Sequence, residues 1–193
     1  ATGFSPCSVV EPTCGTGNFL LAALEQFPTV RKALALDINA EYVETTRRQL
    51  HASPFASKAT ILCDNFFTTD WPARLHALPE PVLVVGNPPW VTNAELGSLR
   101  SSNLPEKNNF QGHAGFDAMT GKSNFDISEW MLIRLVEWLQ GKRATLAMLC
   151  KTAVARKVLS HAWRTSLRIN RADVYLIDAA EHFAASVDAC FLV

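Results

Sequence analysis

The sequence predicts an α/β fold in three layers, with a seven-stranded, mostly parallel sheet between two layers of helices. Short apolar, β-branched runs alternate with segments of helical periodicity, which is typical of βαβ units. The 193 residues are 48% hydrophobic and 19% charged, which is enough apolar material for one core of ordinary size. About ten residues separate the last two predicted strands, too few for a helical crossover, so that pair is predicted to be antiparallel.

The predicted elements follow one another in a regular order. Each strand is a short apolar run, and each helix carries an apolar stripe on one face. Asn39 is placed as the N-cap of the second helix. The strands are predicted at 8–10, 33–36, 59–62, 82–85, 144–149, 174–177 and 188–193, and the helices at 18–26, 40–50, 126–139 and 154–163.

The composition excludes several classes of protein. Lys+Arg and Asp+Glu both number 18, which excludes a strongly basic nucleic-acid wrapper and an acidic tail as descriptions of the whole chain. No run approaches the roughly 18 apolar residues of a membrane span, and no signal-peptide pattern is present, so a cytoplasmic protein without a membrane partner is expected. The five cysteines contain no C-x-x-C pair, so we expect neither a metal site nor a disulfide framework.

A glycine-containing turn joins the first predicted strand to the first predicted helix, from Glu11 to Leu20. Its glycines permit a tight turn and let a ligand approach the backbone. Asp37 follows the second strand, 20 residues after Gly17, where a carboxylate can accept hydrogen bonds from ribose hydroxyls. A dinucleotide site is nevertheless disfavoured, because Leu20 replaces the third small residue of that pattern and Glu11 would repel a pyrophosphate.

Acidic residues at strand ends favour a ligand that carries positive charge. S-adenosylmethionine has an ammonium, a sulfonium and no phosphate. Asp64 follows the third strand and is placed to accept from an adenine amino group, with Ile38 and Phe66 as apolar walls. Such acids can also be helix caps or surface charges. Three of them after three consecutive strands favour a ligand site, because ligands of parallel sheets bind at the carboxyl ends.

A second motif, Asn87-Pro88-Pro89-Trp90, follows the fourth predicted strand. The two prolines fix φ and remove two amide donors, which predicts a stiff turn with exposed carbonyls. In isolation this would be a strand-ending turn with Trp90 in the core. Its position beside the proposed cofactor turn favours a chemical role.

Together these motifs resemble the N6-adenine DNA methyltransferases, a class I, S-adenosylmethionine-dependent family with a Rossmann-like fold. The glycine turn resembles their first motif, Asp37-Ile38 the second, Asp64 the third and Asn87–Trp90 the catalytic fourth. The motif order is similar to that of the γ group, which includes many type II and IIG restriction-modification enzymes. The resemblance implies cofactor contacts from Glu11, Pro12, Thr13, Gly15, Gly17, Asn18, Phe19, Asp37, Ile38, Asp64, Asn65 and Phe66.

The resemblance also implies a catalytic role for Asn87, Pro88, Pro89 and Trp90. The Asn87 side-chain oxygen and the Pro88 carbonyl each accept one N–H of the adenine amine, which turns its lone pair toward the cofactor methyl. Such a displacement depends on orientation and electrostatics rather than on a nucleophilic side chain. The adenine must leave the duplex, and Trp90 or Phe183 is expected to replace its lost stacking.

The sequence departs from the family pattern in three places. Trp90 stands where Tyr or Phe is more common, the chain before Ser8 is short for the family's extra motif, and no target-recognition domain follows Val193. We therefore expect residues 1–193 to be a methyltransferase catalytic domain that meets DNA through a recognition domain elsewhere. The sequence gives no indication of the oligomeric state.

Two further segments carry predictions about DNA. From Gly141 to Arg171 there are eight Lys or Arg residues and no acid, which predicts a basic face that contacts phosphates. Lys151 is the best-placed phosphate contact. The alternative is a solvated helix face.

The segment from Val91 to Phe125 is rich in Ser, Asn and Gly and is predicted to be a long insertion that orders over an extruded base. The alternative is a surface insertion without a role.

Three other functions remain open at this point. An amide nitrogen presents similar chemistry to an Asn-Pro-Pro-aromatic site, so a protein glutamine methyltransferase is one alternative, although residues 91–96 do not resemble that family. RNA adenine methylation and a non-catalytic module that binds S-adenosylmethionine are the others. Methyl transfer from labelled cofactor to DNA, RNA and protein separates them.

Overall fold

A computed structural model describes residues 4–91, 126–183 and 187–193 of the chain. Strands and helices alternate along it as the sequence predicts. In chain order the elements are β1 (Ser8–Glu11), α1 (Asn18–Gln26), β2 (Lys32–Asp37), α2 (Ala40–His51), a 3₁₀ turn (Ala56–Lys58), β3 (Ala59–Cys63), α3 (Trp71–His76), β4 (Val82–Gly86), α4 (Ile127–Trp138), β5 (Ala144–Lys151), α5 (Thr152–Arg164), β6 (Val174–Ile177), α6 (Ala179–Phe183) and β7 (Ala189–Leu192).

The strands form one seven-stranded sheet in the order β3-β2-β1-β4-β5-β7-β6. Neighbouring strands from β3 to β5 pair in parallel, whereas β7 runs antiparallel to both β5 and β6. The predicted fold class is therefore confirmed, including the antiparallel final pair. The polypeptide enters β6 from α5 and returns through the short α6, as the brief final connection requires.

Successive residues of β1 point to opposite faces of the sheet and into two separate cores. Val9 packs with α1 and α2, and Val10 packs with α3, α4 and α5; both are fully buried. This alternation is the period of two that a strand imposes. Burial on both faces explains why Val82 to Val85 of β4 form a continuous apolar run. Helices on both faces complete the three layers.

An aromatic cluster fills the core between α3 and α4. Trp71 is fully buried, its indole N–H donates to the Phe66 carbonyl at 2.9 Å, and its ring lies 5.2 Å from that of Phe66. Trp138 and Trp130 close the cluster from α4. Large aromatic side chains thus anchor the turn after β3 to the second helical layer.

Side-chain caps mark several helix starts, among them those of α2 and α3. Asn39 caps α2 as predicted, since its side-chain oxygen accepts from the Glu41 N–H at 2.9 Å. Helix α3 was absent from the predicted elements because its six residues are too few to show a helical period. It begins at the Asp70 cap, which accepts from the Ala73 N–H at 3.0 Å, and Pro72 stands in its first turn.

The predicted insertion lies almost entirely outside the described residues, so its proposed ordering over a base stays a prediction. The described residues on either side of residues 92–125 meet, because the Ile127 N–H donates to the Val91 carbonyl at 2.9 Å. Within the described ranges, no helix combines the length and the apolar character that crossing a membrane requires.

Truncation of Trp71 should destabilise the fold strongly. Trp71→Ala removes a fully buried ring and a hydrogen bond, so we expect the free energy of unfolding to fall by about 3–5 kcal/mol. Trp163→Ala is the control, because that ring is 65% exposed, and should cost under about 1 kcal/mol. Urea unfolding of the two variants checks this; equal losses would contradict the assignment of Trp71 to the core.

Candidate functional site

The carboxyl ends of the five parallel strands lie along one edge of the sheet. Glu11 pairs in register with Ala35, and Gly86 pairs with Met148, so the strands stop at similar levels. The structure brings together the residues that follow or end β1 to β4, namely Glu11, Asp37, Asp64 and Asn87. This edge is the place where open parallel sheets bind ligands.

Glu11 ends β1 and points inward. Its side chain is 2% exposed, and its Oε2 accepts from the Leu20 N–H at 2.8 Å. Gly17, the N-cap residue of α1, has no side chain to cap the helix, so Glu11 takes over that role from the strand. Burial raises the pKa of Glu11 to about 8, an effect that the Leu20 hydrogen bond opposes and the charge of Asp37 reinforces.

Asp37 ends β2 and organises two turns at once. Its Oδ2 accepts from the Gly15 N–H at 2.8 Å, and its Oδ1 accepts from the Asn39 N–H at 2.9 Å. The carboxylate therefore fixes both the glycine turn and the entrance of α2. Each oxygen keeps a second lone pair, so a ligand hydroxyl can be accepted in addition.

Gly15 and Gly17 both adopt positive φ, 50° and 82°. The Thr46 hydroxyl of α2 donates to the Gly15 carbonyl at 3.0 Å, which holds the turn against that helix. A Cβ at Gly17 would stand 2.6 Å from Thr46 Cγ2. Sequence reasoning missed Thr46 because it lies mid-helix and no motif marks it.

The remaining residues predicted from the first motif occupy different environments. Asn18 is exposed and Pro12 is buried. The Thr13 hydroxyl is buried, and no hydrogen-bond partner for it lies within the described part of the chain. The Phe19 ring stacks on Phe191 of β7, with centroids 6.4 Å apart.

Around the third predicted motif, the two apolar walls differ. Ile38 is 52% exposed at the sheet edge, whereas Phe66 is only 4% exposed and belongs to the aromatic core. Phe66 thus offers little surface to a ligand, because Trp71 and its neighbours take up its ring. Asn65 shapes the turn, since its side-chain oxygen accepts from the Phe67 N–H at 2.9 Å.

Asp64 has a cationic neighbour that the sequence did not suggest. An Arg74 guanidinium nitrogen lies 3.5 Å from Asp64 Oδ2, and both side chains are more than a third exposed. Arg74 belongs to α3, the helix that the periodicity did not reveal. Exposed ion pairs of this kind contribute little to stability, so Asp64 remains available to a ligand.

The Asn87–Trp90 segment leaves β4 at the same edge. Asn87 and Pro89 are exposed, Pro88 is buried and Trp90 is partly buried. Within residues 4–91, 126–183 and 187–193 the Asn87 side-chain amide has no hydrogen-bond partner. A methyl group at Gly86 would stand 3.4 Å from Glu11 Cγ, which places the start of this segment against the β1 carboxylate.

Lys151, at the end of β5, lies beside this segment and has an acidic partner. Its Nζ donates to Asp126 Oδ2 at 2.8 Å and to the Trp90 carbonyl at 3.3 Å. Its charge is therefore balanced within the protein, which argues against the predicted phosphate contact. The sequence placed Asp126 at a helix start but gave no sign that it meets Lys151.

Most of the basic stretch is also paired with acids. Five of its eight basic residues form ion pairs, and three have none within the described ranges. The three are Arg156, Arg164 and Arg168.

Phe183, the other predicted stacking residue, ends α6, and its side chain lies outside the part of the chain that the structure describes.

Comparison with known proteins gives one relative along nearly the whole chain. Type II methyltransferase M.NspV from Nostoc sp. is 45% identical over 192 residues, which cover 99% of this chain and 40% of that protein. Type II methyltransferase M.XamI from Xanthomonas campestris pv. amaranthicola is 30% identical over 95 residues, 48% of this chain and 17% of that protein. The chain thus spans less than half the length of either relative. No family model matches it.

Solved structures show the same fold at low identity. A human methyltransferase 10 domain containing protein has a TM-score of 0.59 at 10% identity, over 100% of this chain and 72% of that one. A dimethyladenosine transferase from Plasmodium falciparum has a TM-score of 0.56 at 13% identity, over 97% and 55%. The chain has the class I methyltransferase fold. Together with the 45% identity to M.NspV, this confirms the methyltransferase resemblance seen in the motifs.

The raised pKa of Glu11 predicts a pH-dependent stability. A carboxyl with a folded pKa of about 8 and an ordinary value of 4.5 binds more protons when folded than when unfolded between those pH values. The free energy of unfolding should therefore fall as pH rises through this window, by at most about 1.4 kcal/mol per pH unit. Glu11→Gln should flatten the dependence, and the exposed Glu25→Gln should not. Urea unfolding measured from pH 5 to 8 tests this prediction. If the free energy of unfolding depends on pH in the same way in wild type and in Glu11→Gln, the prediction is wrong.

The contact between Gly17 and Thr46 predicts a second effect. Gly17 and Gly141 both have positive φ, 82° and 78°, but an added methyl at Gly141 meets nothing within 4 Å. Gly141→Ala should lower the free energy of unfolding by about 1–2 kcal/mol, and Gly17→Ala by about 1–3 kcal/mol more. Adding Thr46→Ser, which removes the clashing methyl, should recover part of the excess. No recovery in urea unfolding would show that the clash is not the cause.

Proposed function

We propose that this chain is the catalytic part of an enzyme that transfers a methyl group from S-adenosylmethionine to the N6 amine of adenine in DNA, within a restriction-modification system. The observation that carries the proposal is Asn87–Trp90 at the carboxyl end of β4, in a chain 45% identical to type II methyltransferase M.NspV. We further propose that DNA is recognised by a part of the longer protein outside these 193 residues.

The residues around the glycine turn fit S-adenosylmethionine. Asp37 has free lone pairs for ribose hydroxyls, Ile38 is 52% exposed for an adenine ring, and the buried Thr13 hydroxyl has no hydrogen-bond partner in the described ranges. Gly15 and Gly17 carry no side chains, so a ligand can approach the backbone of the turn. The Asp37 and Asp64 carboxylates at this edge disfavour a pyrophosphate and favour a cationic group. When bound, the cofactor supplies an electrophilic methyl group on a positively charged sulfur.

The catalytic residues of this proposal act on the target amine. The nitrogen of adenine N6 is a poor nucleophile because its lone pair is delocalised into the ring. Asn87, exposed and without a partner in the described chain, accepts one N–H, and the Pro88 carbonyl accepts the other. Removing that conjugation would make the lone pair available for an in-line displacement. The N6–methyl bond would form as the methyl–sulfur bond breaks, the sulfur would leave as a neutral thioether, and the extra N6 proton would pass to solvent. Trp90 or Phe183 supplies the stacking surface for a base outside the duplex.

Methyl transfer from labelled S-adenosylmethionine tests the proposal against its alternatives. The protein at its natural length is given duplex DNA, RNA and a glutamine-containing protein, and the product is digested to nucleosides or peptides. N6-methyladenine in DNA supports the proposal. Label confined to RNA or to protein glutamine, or cofactor binding with no transfer to any acceptor, would replace it with the corresponding alternative.

Two substitutions separate the roles of the two motifs. Asn87→Ala should lower kcat by about 10²-fold or more and leave cofactor affinity within a few-fold, because Asn87 holds the target amine. Asp37→Ala should weaken cofactor binding first, because it removes the ribose acceptor and loosens the glycine turn. Calorimetry and initial rates measure both effects, with the exposed Asn170→Ala as control. An Asn87→Ala enzyme that lost the cofactor but kept its activity would reverse the assignment.

A further inference from the structure

Lys151 connects three parts of the molecule at the end of β5. Its side chain extends from the strand next to β4, since Gly86 pairs with Met148 in parallel register. Its ammonium donates to Asp126 Oδ2 at 2.8 Å and to the Trp90 main-chain carbonyl at 3.3 Å. One cation thus contacts the last residue of the Asn87–Trp90 motif and the N-cap residue of α4.

Asp126 is a fixed anchor for this cation. Its side chain is 10% exposed, and its Oδ1 accepts from the Ser128 N–H at 3.0 Å as the N-cap of α4, and also from the Ser128 hydroxyl. Both carboxylate oxygens are therefore engaged. A carboxylate buried to this degree requires a cationic partner. The ammonium of Lys151 is consequently held in one place.

The Asn87–Trp90 segment depends on such outside contacts. Pro88 and Pro89 have no N–H, so two residues of the segment cannot donate backbone hydrogen bonds of their own. The segment is held at its far end by Lys151 on the Trp90 carbonyl and by the Ile127 N–H on the Val91 carbonyl at 2.9 Å. Both contacts lead to the first residues of α4.

We propose that Lys151, anchored by Asp126, is a positioning residue that fixes the main chain of Trp90 and thereby the orientation of the catalytic Asn87–Trp90 segment. This inference rests on the proposed function for its catalytic consequence. Because Lys151 acts through the Trp90 carbonyl, its loss affects the turnover of bound substrate. A phosphate contact would affect DNA affinity instead. A purely structural ion pair would affect stability alone.

The chain offers a matched control for Lys151. Lys157 on α5 donates to Glu129 Oε2 on α4 at 2.9 Å, and that carboxylate is also buried, at 2% exposure. Lys157→Met removes an ion pair of the same type between neighbouring elements and leaves Trp90 untouched. Lys151→Met and Lys157→Met are compared for kcat, KM for DNA, cofactor affinity and thermal midpoint in the protein at its natural length.

Lys151→Met should lower kcat about tenfold or more, with KM for DNA and cofactor affinity within about threefold, whereas Lys157→Met should leave kcat within about twofold. Lys151→Arg should restore most of the rate. Asp126→Asn keeps the helix cap and weakens the hold on Lys151, so it should lower kcat without unfolding the protein. The double variant should be no slower than Lys151→Met, because the two residues act as one unit.

In Lys151→Met, a higher KM for DNA and a shallower salt dependence of DNA affinity, with kcat unchanged, would overturn the proposal in favour of a phosphate contact. Equal kcat losses in Lys151→Met and Lys157→Met would overturn it in favour of a structural ion pair. Should Lys151→Met fail to fold, Asp126→Asn decides alone: an unchanged kcat overturns the proposal.

A second measurement is independent of activity. With 5-fluorotryptophan incorporated and the Trp90 fluorine signal assigned by its loss in Trp90→Phe, Lys151→Met should shift or broaden that signal and leave the signals of Trp71 and Trp163 unchanged. Lys157→Met should leave the Trp90 signal in place. A wild type that methylates nothing while its Trp90 signal responds to Lys151→Met would remove the proposed function but keep the positioning contact. An unmoved signal would remove the contact.

Discussion

The parallel register of five neighbouring strands is the constraint on which the candidate site depends. Because these strands pair side by side and run in one direction, their carboxyl ends meet at one edge of the sheet. Residues as distant in sequence as Glu11 and Lys151 reach that edge without any long-range motif. The antiparallel β7 extends the sheet between β5 and β6 and places Phe191 where Phe19 of α1 can stack on it.

Acidic side chains at this edge have structural roles, and the proposed ligand chemistry has to be compatible with them. Glu11 caps α1, Asp37 holds the glycine turn, and Asp126 caps α4. Helix capping and ligand binding are often treated as competing explanations of such acids. A carboxylate has about four acceptor positions, so the two backbone hydrogen bonds of Asp37 fix it and leave positions for the proposed ligand. The cost is visible at Glu11, where burial raises the pKa to about 8.

Charge pairing limits what the basic stretch can contribute to nucleic-acid binding. Glu80 lies within ion-pair distance of Lys142 and Arg143, and Asp173 pairs with Arg171. Arg143 and Arg171 are more than half exposed, and exposed ion pairs are weak, so their pairing restricts phosphate contacts only modestly. If DNA is the substrate, as proposed, residues beyond this described surface are further candidates for contacts with it; the relative M.NspV is more than twice as long as the matched region.

The sequence by itself determined the alternation of strands and helices, the antiparallel final pair and the positions of both motifs. Each of these depends on local periodicity or on residues a few positions apart. It also placed the acids at strand ends, and parallel topology then gathers them. Tertiary structure alone decided which partners these residues meet. Phe66 follows a strand like a pocket residue but lies in the core, because Trp71 comes from a helix too short to show a period. Lys151 reads as a free cation, yet it bonds Asp126 and Trp90, since side-chain pairing across separate elements leaves no trace in local sequence.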